Sequence, residues 1–218
     1  MKPSDAVDLT RGIKDKALSI TKSAKTTDDA IMAIHAFVKN DLPPGKLPVL
    51  VQTPVMRASD VLAGDVGNHG MLSHNKTVVE VAMLRSIDIP ARIGTYACDL
   101  SPVAGTILAR DSKKIADFFG WYPSLHQSAE IYVKKDGDFK VADASVPDTS
   151  CNELPGTCLS DDITSWKSSH EIKGLMGHAP CMKISDSNDY PTGIASAIGI
   201  VAAIRNSNHV FDIIDPEW

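Results

Sequence analysis

Ser73, His126 and Asp143 follow one another along the chain as the residue types that nucleophilic acyl transfer requires. Ser73 opens 73-SHNKTVVEVAMLRS-86, a run apolar on nearly every side from Val78 to Leu84, which reads as a buried helix in the centre of the molecule. A serine there is in the first instance an N-cap, because its oxygen accepts a hydrogen bond from an amide of the first turn. The same helix end presents free amides and positive potential, which favour an anionic nucleophile and the oxyanion of a tetrahedral intermediate. His126 opens the strand-like run 126-HQSAEIYV-133, and Asp143 ends the run 139-FKVAD-143. A histidine can move the proton in such chemistry, and a carboxylate can hold its tautomer and support the imidazolium.

Whether His126 and Asp143 meet depends on the loop between their strands. A two-residue Asp136-Gly137 turn would set Asp143 opposite Glu130, too far along the strand from His126. A four-residue loop over Lys134 to Gly137 pairs Val133 with Asp138 and sets Asp143 opposite Ser128. His126 is then its diagonal neighbour on the same face, at the roughly 7–8 Å from which longer side chains still meet. The four-residue loop is the expectation adopted here.

The elements that carry these residues are legible from periodicity. Residues 4–25 have a helical pattern, with Val7, Ile13, Leu18 and Ile20 apolar amid charge. A second helix is expected over 27-TDDAIMAIHAFVKNDL-42, with Thr27 as its cap, acidic residues in its first turn and an apolar face from Ala30 to Val38. His35 lies beside that face and reads as a packed structural histidine. A short helical turn is expected at 58–62, a loop at 64–70 and a strand at 91–100; Asp88-Ile89-Pro90 stops the central helix. A helical piece is expected near 111–120, little regular pattern over 146–190, and a buried helix over 191–206. Helices followed by antiparallel strands give an α+β class with a central helix packed on a sheet. The chain, residues 1–218, reads as one domain with a core over about 27–145 and an extension over 146–218.

Bulk properties exclude several function classes. A formal charge of -5 argues against sequence-independent nucleic-acid binding, which relies on clustered Lys and Arg. The amino terminus lacks the apolar core of a secretory signal and no apolar run suffices to span a bilayer, so a cytoplasmic protein without membrane partners is expected. The four cysteines, Cys98, Cys151, Cys158 and Cys181, show no Cys-x-x-Cys spacing, which argues against a structural zinc site. A Cys151–Cys158 disulfide is geometrically open. His69 and His74 flank Ser73, yet no third ligand is evident, and neither metal nor other cofactor is expected.

The segments SHNKTVVEVAMLRSIDIPAR and HQSAEIYVKKDGDFKVADAS together resemble the core of the transglutaminase-like superfamily, of papain-related fold. In that family a cysteine opens a helix ending in arginine, Gly-Ile-Pro-Ala-Arg leads into a strand, and a histidine and an aspartate follow across a hairpin. The resemblance covers roughly residues 27–145, most specifically 84-LRSIDIPAR-92 and the hairpin from His126 to Asp143. It implies that His126 and Asp143 are the catalytic pair and that Ser73 stands at the position of the nucleophilic cysteine. Gln52 lies upstream, as an oxyanion-donating amide does in related thiol enzymes, although a plain loop glutamine is the stronger reading. The chain departs from the family at Asp88, where glycine is usual, and at 127-QSAE-130, where Ala-Trp-Val-Glu is common.

The resemblance implies acyl transfer from an amide or a carrier-bound thioester to an amine or water. Three readings of Ser73 stand side by side: a cysteine changed to serine that disables the enzyme, a genuine serine nucleophile, or a degenerate member that only binds a peptide or carrier protein.

Overall fold

The computed structural model of the protein describes residues 4–42, 56–64, 73–98, 124–145, 163–168, 174–175 and 179–187. Gln52, His69, Cys151, Cys158, the helix expected near 111–120 and that over 191–206 lie outside the described residues.

Helix α1 spans Arg11–Thr21 and is capped by Thr10, whose hydroxyl accepts from the Ile13 amide at 3.4 Å. The expected helical pattern from residue 4 is therefore shortened at its start: residues 4–10 are a non-helical lead that still buries Val7. Helix α2 spans Thr27–Ala36, and its cap is Thr26 rather than Thr27. The reason is a capping box, in which the Thr26 hydroxyl accepts from Asp29 N–H at 3.0 Å and the Asp29 carboxylate accepts from Thr26 N–H at 3.0 Å. The helix does not continue to residue 42 as expected; it widens into a π-helical turn over Phe37–Asp41. Such a turn bonds i to i+5, as Leu42 N–H does to the Phe37 carbonyl at 3.3 Å. Helix α3 spans Ala58–Leu62 and helix α4 Ser73–Ser86.

The end of α4 has a specific chemistry. Asp88 N–H donates to the Arg85 carbonyl at 3.1 Å and Ile89 N–H to the Leu84 carbonyl at 3.0 Å, the bonding pattern of a Schellman cap. Asp88 takes φ 63, the left-handed conformation that a glycine adopts without cost. Aspartate, with its short polar side chain, is among the few residues other than glycine that tolerate this conformation. Ile89 and Leu84 close the cap as buried members of one apolar cluster.

Among the described residues five antiparallel strands follow: β1 Ala91–Cys98, β2 Ser124–Val133, β3 Asp138–Ala142, β4 Gly174–Leu175 and β5 Ala179–Ser187. Their order in the sheet is β3-β2-β1-β5-β4. Helices on one side and an antiparallel sheet on the other make this an α+β protein. The hairpin between β2 and β3 pairs Val133 with Asp138 and Ala129 with Ala142, so the loop is Lys134 to Gly137, the four-residue form. Gly137 takes φ 66 at its last position.

The expectation of little regular pattern over 146–190 is corrected by β4, β5 and a 3-10 turn at Ile163–Ser165. The run 179-APCMKISDS-187 has weak strand preference of its own, and its ladder against the open edge of β1 supplies what propensity does not.

Helix α4 is buried along its whole length from Asn75 to Arg85 and packs over β1 and β2. The apolar cluster beneath it takes Ala91 and Ile93 from β1, Ala129, Ile131 and Val133 from β2 and Ala142 from β3. It also takes Val7, Ile13 and Ala17 from the first segment, Ile163 from the 3-10 turn and Trp166 just after it. Among the described residues no helix is long and apolar enough to cross a membrane.

Candidate functional site

Strand alternation decides where His126 sits. Ala129, Ile131 and Val133 point into the cluster under α4, so His126, Ser128 and Glu130 occupy the opposite face of β2. His126 is nevertheless only 1% exposed. Its register partner on β1 is Tyr96, which belongs to the same face.

His126 and Asp143 are in contact: Nε2 lies 3.0 Å from Asp143 Oδ2. Asp143 stands one residue beyond β3, and its other oxygen accepts from the Ser145 amide at 3.1 Å. Burial is the largest influence on this carboxyl and would raise it. The charge and hydrogen bond of His126, together with the Ser145 contacts, outweigh burial and hold the carboxyl below its ordinary range. Asp143 is thus an anion at neutral pH, and it engages Nε2. A neutral imidazole donating from Nε2 has its lone pair on Nδ1, which is the nitrogen left to accept a proton.

Two contacts place α4 against the strands. Near its start, the Thr77 hydroxyl donates to the Gln127 carbonyl at 3.0 Å; near its end, Arg85 Nε donates to the Ala91 carbonyl at 2.8 Å, and Ala91 pairs with Ile131. The helix therefore runs in the same direction as β2. Ser73 lies one turn before Thr77, about 6 Å further back at ~1.5 Å per residue. At about 3.4 Å per strand residue that is the level of Leu125 and His126. Ser73 is the first residue of the helix; its side chain lies outside the described part of the structure.

A second polar set joins α4 to α2 and the π-helical turn, and the sequence reading did not single it out. Lys76 is 1% exposed, and its ammonium donates to the Lys39 carbonyl at 2.8 Å, a carbonyl that belongs to the π-helical turn. Burial lowers Lys76 to about 8, with Asp143 and Glu80 opposing the shift and Lys39 adding to it. Glu80, fully buried, meets His35 Nδ1 at 2.8 Å, and the His35 ring stands edge-on to Trp166 at 5.1 Å between centroids. His35 is the packed structural residue that its place on α2 suggested. A signal for this set was present: Lys76 and Glu80 are one turn apart on a helix otherwise apolar on nearly all sides, so neither could avoid burial.

His74, half-buried, is lowered to about 4 by burial and is neutral at neutral pH. Among the described residues no group of three or more His, Cys, Asp or Glu side chains is arranged to hold a metal ion.

The face that carries His126 is polar. The Glu130 carboxylate accepts from Tyr96 OH at 2.7 Å and Arg92 Nε at 2.7 Å, and pairs with Lys183 Nζ at 2.8 Å. Burial, then the Glu130 charge, pushes the Tyr96 phenol well above its ordinary value. Gly94 makes the room: a Cβ there would stand 2.5 Å from Glu130 Oε1 and 2.8 Å from the Tyr96 ring and hydroxyl.

No family model matches the chain, and no curated protein matches it. Among solved structures, a candidate cysteine protease from Cytophaga hutchinsonii is similar over 86% of this chain and 51% of its own, with 14% sequence identity and a TM-score of 0.47. The chain spans about half the length of that protein.

Proposed function

We propose that the protein is an acyl-transfer enzyme of transglutaminase-like, papain-related type, acting through residue 73, His126 and Asp143. The observation that carries this reading is the buried His126–Asp143 pair, 3.0 Å apart, at the level along β2 where α4 begins. His126 lies on the sheet face away from α4, so residue 73 would meet it around the end of the sheet.

In the proposed reaction, His126 Nδ1 takes the proton of the residue 73 side chain as that side chain attacks the carbonyl carbon of an amide or thioester. The amides of the first turn of α4 stabilise the oxyanion. His126 returns the proton to the departing amine or thiol, leaving an acyl group on residue 73. An amine or water, deprotonated by His126, then attacks the acyl carbon; the bond to residue 73 breaks, the residue 73 side chain takes the proton back from His126, and the product leaves. Asp143 stays ionised throughout and holds the imidazole with Nδ1 free. Gln52 is retained as a proposed second oxyanion donor. The acyl donor, the amine or water acceptor and a cytoplasmic setting likewise stand as proposals, drawn from the sequence resemblance.

A second reading, a binding module for a peptide or carrier protein, is favoured by the serine at residue 73, since a hydroxyl is a far weaker nucleophile than a thiolate. Ser73→Cys separates the two. The new thiol should react with iodoacetamide faster than Cys98, Cys151, Cys158 or Cys181, read residue by residue by mass spectrometry, and His126→Ala should slow it by about tenfold or more. A new cysteine as inert as the other four and indifferent to His126 would leave the binding module as the better reading.

A further inference from the structure

Cysteines 98 and 181 are far apart in sequence, yet β1 and β5 make them direct register partners. An irregularity in the ladder produces this. Below it, Ile93 pairs with Ser187 and Thr95 with Ser185; above it, Tyr96 pairs with Lys183, and one residue of β5 has been passed over. Had the first register continued, Cys98 would face Met182. The extra residue of the bulge brings Cys181 opposite instead.

Register partners in an antiparallel pair have Cα atoms about 4.5 or about 5.5 Å apart, according to the kind of pair. Disulfides span Cα separations of about 4.4–6.8 Å, so both kinds of pair fall within reach. We propose that Cys98 and Cys181 are an oxidative modification site, joined as a cross-strand disulfide when the folded protein meets a low-molecular-weight disulfide such as oxidised glutathione. The thiolate of one cysteine attacks glutathione disulfide, forming a mixed disulfide and releasing one glutathione. The thiolate of the other attacks the protein sulfur of that mixed disulfide and releases the second glutathione. The two electrons and two protons end on the two glutathiones, and one new S–S bond joins the strands. The link ties β5, and β4 beyond it, to the three-stranded part of the sheet that holds His126.

The test uses the full, unaltered chain, equilibrated natively with oxidised glutathione, blocked with iodoacetamide and digested with trypsin without reduction. Cleavage after Arg92 and Arg110 isolates Cys98 in the peptide 93–110, and cleavage after Lys173 and Lys183 isolates Cys181 in 174–183. Cys151 and Cys158 share the peptide 141–167. The expected product is 93–110 linked to 174–183, released by dithiothreitol, in a protein whose Tm exceeds that of the reduced form by about 5–10 °C. Recovery of both peptides fully alkylated, a link from either one to 141–167, or a linked protein with an equal or lower Tm would overturn the proposal.

Discussion

Lys76→Met probes the buried polar set that joins α4 to α2 and the π-helical turn. Lys76 is 1% exposed and burial lowers it from the ordinary 10.5 to about 8. Between those values the unfolded chain keeps the proton while the folded chain has released it, so stability rises with pH across that window. Below about pH 8 both states are protonated, and the folded protein carries the whole cost of burying an ammonium. At about 1.4 kcal/mol per pH unit the gap corresponds to about 3 kcal/mol.

Methionine titrates nowhere, so this cost vanishes in the variant, and groups common to both proteins cancel in the comparison. At pH 7 the variant also loses the hydrogen bond to the Lys39 carbonyl, an offset of about 1–3 kcal/mol. It should therefore match the parent or exceed it by up to about 2 kcal/mol. Urea unfolding of both proteins at pH 7, 8.5 and 10.5 reads the effect. The stability of the parent relative to the variant should climb by about 3 kcal/mol over that range. A difference that stays flat would mean that Lys76 keeps its ordinary proton affinity in the folded state. A difference that falls would mean that Asp143 and Glu80 stabilise the cation more than burial penalises it. Either result would refute the argument.

Gly94→Ala should destabilise the fold by about 1–3 kcal/mol, because the new methyl group would overlap the Glu130 carboxylate and the Tyr96 ring; the same urea measurement checks it, and an unchanged midpoint would show that the pair yields freely. Asp88→Gly should stabilise the protein by roughly 0.5–1 kcal/mol, since Asp88 occupies φ 63 in a Schellman cap, and a loss of stability in thermal unfolding would contradict that account.

What the chain settles by itself is what neighbouring residues decide. The all-round apolar character from Val78 to Leu84 marks α4 as central, and Thr26 and Asp29 start α2 by a bond across three residues. The loop from Lys134 to Gly137 determines the β2–β3 register, and with it the diagonal relation of His126 and Asp143. Each depends on contacts close in sequence, so periodicity and counting reach them. Even there a boundary slipped: cap geometry moved the N-cap of α2 to Thr26, and a π-helical turn ended the α-helix early.

The tertiary structure decided everything that depends on distant partners. Strand β5 has little propensity and forms because β1 offers an unpaired edge, and its bulge, which sequence cannot announce, sets Cys181 against Cys98. Glu130 is tolerated without exposure because Arg92, Tyr96 and Lys183 come from two other strands, with space left by Gly94. Lys76 could be foreseen as buried, but not that its ammonium would donate to the Lys39 carbonyl in a π-helical turn. The free energy of a buried charge depends on which partners the fold delivers to it, and those partners come from residues that no local pattern connects.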